Sequence, residues 1–373
     1  MKIGVPKEMR PGERRVALIP EAVKRLAGKG HEVLVERDAG SAAGWRDADY
    51  EEAGAQIVAD ADAAWAADLV AKVERPTPEE AGRLRSGLIL VAMFQHLAHR
   101  DEMEKLAAAG VTAFAMDWMP RTTRAQDMDA RSSMSTIQGY KAVLMAADAL
   151  PRFMPMLMTA AGTVAPAQVL IIGAGVAGLS AIATARRLGA QVEGFDVRPA
   201  TREQVESLGA RFLPMDVELE DAQDEHGYAK AQDEKILELE RQTFARRLPT
   251  RDIVISTALI PGQQPPLLLT ADMVRTMRPG SVIVDLAAAF GGNCEHTVAG
   301  EAVVRDGVTI IGYTDMESRV AFHASQMYAR NVSNYLLHLL KDGPPNLEVD
   351  DELVRFPLIT HGGRVVVPGG GGS

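Results

Sequence analysis

Apolar residues in this chain gather in short runs, separated by longer segments in which they recur at helical spacing. Over the first 115 residues the runs are Lys2–Val5, His31–Glu36, Leu69–Val73, Leu88–Met93 and Thr112–Ala115, with helices expected at Pro20–Ala27, Arg46–Ala53, Pro78–Leu84 and Arg100–Ala109. Strands alternating with helices predict a mostly parallel sheet with helices on both faces. No glycine-rich loop follows the first strand, where Pro6-Lys7-Glu8 stands instead. This half is therefore expected to be Rossmann-like in layout without a dinucleotide of its own. Met116–Ser135 then breaks into a polar segment before a helix expected from Thr136 to Ala149. Plain linkers of that length are unusual inside a compact protein, and its Arg, Gln, Asp and Ser side chains offer directed hydrogen bonds, so the segment is predicted to face a cleft.

The rhythm resumes at Val169. The apolar run Val169–Ile172 enters Gly173-Ala-Gly-Val-Ala-Gly178, a helix-compatible segment continues to Leu188, and a second strand, Gln191–Phe195, ends at Asp196. Gly173 permits the sharp turn, Gly175 lets backbone approach a pyrophosphate, and Gly178 lets helix and strand pack closely. The pyrophosphate would sit on the helix N-terminus, where unpaired N–H groups and the dipole favour an anion. Asp196 stands close to the spacing of an acid that binds an adenosine ribose. The glycine pattern is weak alone, but strand, helix and acid in place make it a dinucleotide site. Strands at Asp252–Ser256 and Ser281–Asp285 follow. Asp306-Gly307 marks a hairpin within Val303–Ile311, Arg319–Leu340 reads as one long return helix, Gly362-Gly363 marks a further hairpin, and Gly369–Gly372 reads as flexible linker.

Length and charge narrow this picture. A chain of 373 residues exceeds the size at which one core keeps growing. Two domains are expected, 1–133 completed by 326–373, and 134–325. A net charge of -10 argues against a nucleic-acid partner, and ten of the residues from Asp216 to Glu240 are acidic against Lys230 and Lys235, so much of the excess lies in one segment. The single cysteine, Cys294, excludes an intramolecular disulfide and a thiolate metal cluster. No metal is expected. Lys2–Val5 opens the chain as a strand, so no signal peptide is expected. Phe153–Ala185 lacks charge over a length that could span a bilayer. Its prolines and glycines, and the apolarity normal for a buried strand with an inner helix, read instead as α/β core.

Four further stretches carry a family resemblance: Met119-Pro-Arg-Thr-Thr-Arg-Ala-Gln-Asp-Met-Asp-Ala-Arg-Ser-Ser133, Met158-Thr-Ala-Ala-Gly-Thr163, Gly227-Tyr-Ala-Lys230 and Thr257-Ala-Leu-Ile-Pro-Gly262. Over nearly the whole chain the sequence resembles the NAD(H)-binding alpha subunit, domain I, of proton-translocating nicotinamide nucleotide transhydrogenase. Ile3-Gly-Val-Pro-Lys-Glu8 and Glu13-Arg-Arg-Val-Ala-Leu18 are shared with a sister family, alanine dehydrogenase. The resemblance implies two Rossmann-like domains with a cleft between them, joined by long helices. It implies direct hydride transfer between NAD(H) here and NADP(H) on a partner subunit, coupled to proton movement through a membrane-spanning subunit. The enzyme would be of the proton-translocating rather than the Si-specific type, and active only with those subunits. The chain itself would be a cytoplasmic homodimer, held at the inner face of the membrane by its partners.

Site residues follow from the same resemblance. Arg121 and Asp129 would form a fixed ion pair, with Gln126 and Ser132 hydrogen-bonding near the nicotinamide and its ribose, and Thr122 and Thr123 beside them. Val176, Asp196, Val197 and Arg198 would hold the pyrophosphate and adenosine end, and Ala258 and Leu259 would line the site. Tyr228, next to Gly227, matches the tip of the family's mobile loop, although the stretch also reads as a solvated acidic insertion. The polar segment is equally readable as a brace at the domain junction. Asp196 is expected to repel a 2′-phosphate and so to favour NAD(H) over NADP(H), with Arg198 too weak to reverse this.

The rival enzyme is an NAD-dependent alanine dehydrogenase. Its substrate groups would fall on Arg15 for a carboxylate, Lys72 for a keto oxygen and His96 as acid/base. Within Asp285-Leu-Ala-Ala-Ala-Phe-Gly-Gly292, however, that family carries a second acid where Ala289 stands. A non-catalytic NAD-binding module is the third reading.

Overall fold

A computed structural model describes residues 1–215, 234–260, 262–341, 343–347 and 350–366. Gly227, Tyr228 and Pro261 lie outside the described residues. The chain forms two compact units, Met1–Met134 with Glu317–Ser373, and Ser135–Met316.

The first unit holds an eight-stranded sheet in the spatial order Arg364–Val365, Leu358–His361, Thr112–Ala115, Ile89–Met93, Leu69–Glu74, Lys2–Val5, Glu32–Glu36 and Gln56–Val58. The last six run parallel, and the C-terminal hairpin adds antiparallel strands at one edge. The second unit repeats the plan in the order Arg211–Phe212, Gln191–Phe195, Gln168–Ile172, Ile253–Ser256, Val282–Asp285, Val308–Ile311 and Ala302–Arg305. Only Ala302–Arg305 is antiparallel to its neighbour. In each unit the strand that opens the parallel set lies third from its end, with the next two strands to one side and the later ones to the other. That is the doubly wound order, whose switch point lies beside this opening strand. The central strands are buried on both faces, and each sheet side carries its own apolar core, such as Val169, Ile171, Ile255 and Val284 on one side of the second sheet and Leu170, Ile172, Val254 and Ile283 on the other.

Several elements differ from the sequence reading. The helix expected from Thr136 begins at Ala130 and runs to Ala149, preceded by a 3-10 turn over Thr123–Met128. Asp129 caps it, its carboxylate accepting from the Ser132 N–H at 2.9 Å and hydroxyl at 2.6 Å. Pro78–Leu84 is only a 3-10 turn, Glu80–Arg83, because Glu80 turns inward and is buried. Gln56–Val58 and Ala61–Trp65 are an additional strand and helix, too short to show a period. Leu157–Thr159 and Gly162–Val164 form a hairpin separate from both sheets, in a stretch that reads as buried by its apolarity alone. The return helix, Ala321–Leu339, belongs wholly to the first unit, whereas a boundary at residue 325 would cut it. Its Tyr328 hydroxyl donates to the Lys72 carbonyl at 2.8 Å, and its Ser325 hydroxyl accepts from the Val16 N–H at 3.0 Å.

Candidate functional site

The glycine turn sits at the switch point of the second unit. Gly173 has φ +93°, a left-handed conformation that only glycine takes without strain. A Cβ there would also lie 2.4 Å from the Thr257 hydroxyl, which donates to the carbonyls of Ile172 and Gly173 at 3.1 Å each. At Gly178 a Cβ would fall 1.8 Å from the Gly173 carbonyl oxygen. Gly175 is different. Its φ of -76° strains no residue, and a Cβ would meet nothing nearer than the Arg198 guanidinium at 4.0 Å among the described residues. It stands at the N-cap of the helix Val176–Arg187, and among the described residues no side-chain cap takes up its first-turn N–H groups. An anion is what that backbone favours, and the residues fit a dinucleotide pyrophosphate. Val176, more than a third exposed, opens the helix.

Asp196 lies at the end of the neighbouring strand and is buried. One oxygen accepts from the Arg198 N–H at 2.9 Å and Nε at 2.8 Å, the other from an Arg198 Nη at 2.7 Å and from the Ala174 N–H at 2.7 Å. The acid therefore ties the glycine turn to the strand end and is matched by a two-pronged guanidinium before any ligand arrives. Val197, half-buried, packs on the core beneath. A second acid escaped the sequence reading: Glu240, on the helix Glu234–Ala245, is buried and pushed up to about 7, first by desolvation and then by Asp196.

Across the switch point, Ala258 and Leu259 are half-buried in the loop after Ile253–Ser256. Asn293, also missed from sequence, holds that loop: its amide donates to the carbonyls of Ala258 and Pro266 at 2.9 Å, and its Oδ1 accepts from Ser256 at 2.7 Å. Asp285 is fully buried, accepting from the N–H groups of Ala287, Asn293 and Cys294 and from the Thr297 hydroxyl. Those donors occupy it as a structural anchor. Ala289 lies exposed on the turn Ala288–Phe290.

In the first unit, the segment from Met119 to Ser133 is held from several directions. Asn331 and Asn334 of the return helix donate to the Asp127 carbonyl at 2.9 and 3.1 Å. The Thr122 hydroxyl donates to Glu352 at 3.0 Å, and Arg124 reaches Asp351 at 3.3 Å. Ala125 and Met128 are buried beneath, while Arg121, Thr123 and Gln126 are exposed. The turn thus presents Gln126 on a braced backbone, and Asp129 and Ser132 are joined to each other by the helix cap.

The switch point of the first unit is filled by its own charges. Lys72 is fully buried between Glu80 at 2.6 Å and Glu8 at 3.1 Å. The Arg15 guanidinium is held by Glu13 at 2.5 Å and Glu74 at 2.9 Å. Glu13 is buried, but its hydrogen bonds and ion pair with Arg15 overcome that and hold it down at about 2, whereas burial lifts Glu74 to about 7. Arg15 and Lys72, the cations drawn for a substrate carboxylate and a keto oxygen, thus each meet two carboxylates of this unit. His96 sits edge-on to Trp118 at 5.0 Å, its buried Nε2 without a hydrogen-bond partner among the described residues, and burial lowers its pKa.

Among the described residues no group of His, Cys, Asp and Glu could hold a metal ion, and no helix is long and apolar enough to cross a membrane. Residues 4–138 match the N-terminal domain model of alanine dehydrogenase/PNT, and residues 142–368 the C-terminal one. The chain is 47% identical over 377 residues to the first piece of NAD(P) transhydrogenase subunit alpha of Rhodospirillum rubrum, covering 99% of this chain and 98% of that one. It is 45% identical to NAD(P) transhydrogenase subunit alpha of Haemophilus influenzae, over 99% of this chain and 72% of the relative. Alanine dehydrogenase of Bacillus subtilis is 32% identical over 98% of this chain and 92% of its own length. A crystal structure of transhydrogenase from Sinorhizobium meliloti superposes with TM-score 0.85 at 42% identity, covering 99% of both chains, and an L-alanine dehydrogenase structure with 0.84 at 30%, covering 99% and 97%. On its two family models and its relatives over full length, the chain belongs to the alanine dehydrogenase/PNT family.

Proposed function

We propose that this protein is the NAD(H)-binding component of a proton-translocating NAD(P) transhydrogenase and passes hydride directly between NAD(H) and NADP(H) held on a partner subunit. The observation that carries the reading is the glycine turn. Its geometry at Gly173 and Gly178 is fixed by the protein's own packing, whereas among the described residues a Cβ at Gly175 would meet nothing nearer than 4.0 Å and the helix start has no side-chain cap. The transhydrogenase subunits at 45–47% identity over nearly the whole chain then favour transhydrogenase over alanine dehydrogenase at 32–33%. Ala289, where the sister family carries a second acid, weighs the same way.

Bound NAD(H) supplies the hydride; the chain's residues bind, orient and exclude water. Gly173, Gly175, Val176 and Gly178 would seat the pyrophosphate, Asp196, Val197 and Arg198 the adenosine end, and Ala258 and Leu259 the opposite wall. Gln126 would set the nicotinamide ring, with Arg121, Thr122, Thr123, Asp129 and Ser132 fixing the turn that carries it and meeting its ribose. Gly227 and Tyr228 would close over the nucleotide. Transfer between two rings needs near-attack geometry rather than an acid or base, which suits a site whose polar groups hold backbone in place. The partners are the NADP-binding and membrane-spanning subunits, which would hold the chain at the cytoplasmic face of the membrane.

The chain would act as a homodimer. Leu157–Thr159 and Gly162–Val164 stand apart from both sheets with Met158 80% exposed, and Phe153, Met156 and Val164 are also exposed. An isolated two-stranded hairpin is marginal in water, and a second copy would cover it. Titration calorimetry of the purified chain tests the nucleotide reading: NADH binding is expected, and its absence overturns the assignment.

A further inference from the structure

Asp196 is the acid whose position would reject a 2′-phosphate, yet its charge is matched by Arg198 across two ionic hydrogen bonds. A net repulsion at the adenosine end would therefore have to come from elsewhere. Glu240 feels the charge of Asp196, and its helix is locked to that strand end by Phe244 packing edge-on to Phe195 at 4.8 Å. Glu240 is 3% exposed, and its buried Oε1 has no hydrogen-bond partner among the described residues. The charged groups acting on it are Asp196, from the strand end, and Arg241, from its own helix. Arg241 is committed to Glu234, to Glu238 and to the Leu267 carbonyl. Among the described residues no cation is matched to Glu240 as Arg198 is to Asp196.

We infer that Glu240, rather than Asp196, sets how strongly the adenosine end of this site turns away a ribose 2′-phosphate. The inference rests on the dinucleotide reading of the glycine turn. With Asp196 and Arg198 cancelling, an ionised Glu240 leaves the cluster negative and a protonated one leaves it neutral. Its field is little screened, because water and salt do not reach a buried carboxylate as they reach a surface one. Burial also places its titration near neutrality, so the rejection is itself pH-dependent.

The test uses NADH and NADPH dissociation constants, measured by nucleotide fluorescence on the purified full chain and on Glu240→Gln, at about pH 6 and about pH 8. The phosphate of free NADPH titrates too, identically in both experiments, so the difference between the proteins isolates Glu240 and its coupling to the bound phosphate. At the higher pH the wild-type preference for NADH over NADPH is expected to exceed that of the variant by about tenfold, the gap closing at the lower pH. Glu240→Met, neutral and of similar length, should behave as Gln does if charge is the cause. NADH binding with equal preference in wild type and both variants at about pH 8 overturns the inference and leaves the nucleotide site standing. Failure of wild type to bind NADH at either pH overturns the site reading itself.

Discussion

Asp196 takes three hydrogen bonds from Arg198 and one from Ala174, so the acid expected to meet a ribose is first a structural part of the turn that precedes it. Removing one partner of a buried pair costs more than the pair contributes, because the remaining charge and N–H lose their acceptor. Asp196→Ala should destabilise the chain by about 3 kcal/mol, read from its urea midpoint; an unchanged midpoint would show that the pair holds nothing together. Glu240 and Glu74 work in the opposite sense. Burial lifts each from 4.5 to about 7, so the folded state keeps a proton that the unfolded state has lost. Their contribution to stability is full below about pH 4.5, declines as pH rises toward about 7, and stays reduced above, by up to about 3 kcal/mol for each group. Glu240→Gln removes one such penalty. Its melting temperature should exceed wild type at about pH 8 and match it below about pH 5, and a variant no more stable at the higher pH would mean that the carboxyl is relieved by another route.

At the scale of elements, the three turn glycines separate by what surrounds them. Gly178→Ala drives a Cβ onto backbone, the Gly173 carbonyl, which cannot swing aside as a side chain can. It should cost about 1–3 kcal/mol and displace the helix start. Gly175→Ala has room and an ordinary φ, so it should melt with wild type while binding NADH at least about tenfold more weakly. Full NADH affinity in Gly175→Ala would remove the pyrophosphate from this turn. The division between legible and illegible elements has the same physical root. The parallel strands and the Asp306-Gly307 hairpin, with φ of +50° and +78°, announce themselves through apolar runs and turn residues. Ala130–Ser135 did not read as helix because its start depends on a side-chain cap, Asp129 onto Ser132, rather than on an apolar period. Glu240 and Asn293 were invisible for a different reason: their significance lies in neighbours distant in sequence, Asp196 for one and Ala258 and Pro266 for the other. The hairpin Leu157–Val164 shows the converse, apolar residues that lie outside. If a second copy covers them, Met158→Asp should shift the chain from dimer to monomer by light scattering at micromolar concentration without loss of NADH binding, and a wild-type chain that is already monomeric would exclude the dimer.

At the scale of the whole molecule, one doubly wound plan appears twice with opposite fates at its switch point. Among the described residues the second unit leaves the helix start behind Gly175 without a side-chain cap, while the first places Lys72, Glu8 and Glu80 and Arg15, Glu13 and Glu74 at the equivalent point. Under the proposed function the nucleotide belongs to the second unit's glycine turn, and the hydride acceptor comes from a partner. Purified alone, the chain should bind NADH yet oxidise no L-alanine with NAD and consume no NADH with pyruvate and ammonia, since Ala289 supplies no carboxylate where the sister family carries its second acid. Mixed with an NADP-binding transhydrogenase domain, it should pass hydride to an NADP analogue. Gln126 is exposed on a turn pinned by Asn331 and Asn334, and under the proposed function it would orient a ring rather than hold the nucleotide. Gln126→Ala should therefore slow transfer by up to about a hundredfold while changing NADH affinity little, because a group that sets ring geometry acts on the transition state more than on binding. Tyr228→Ala should do less, as a cover rather than a positioning group. Rapid-mixing measurement of the transfer step separates these outcomes from nucleotide release. Robust alanine oxidation by the chain alone would transfer it to the sister enzyme, and undiminished transfer in Gln126→Ala would move the ring away from this turn.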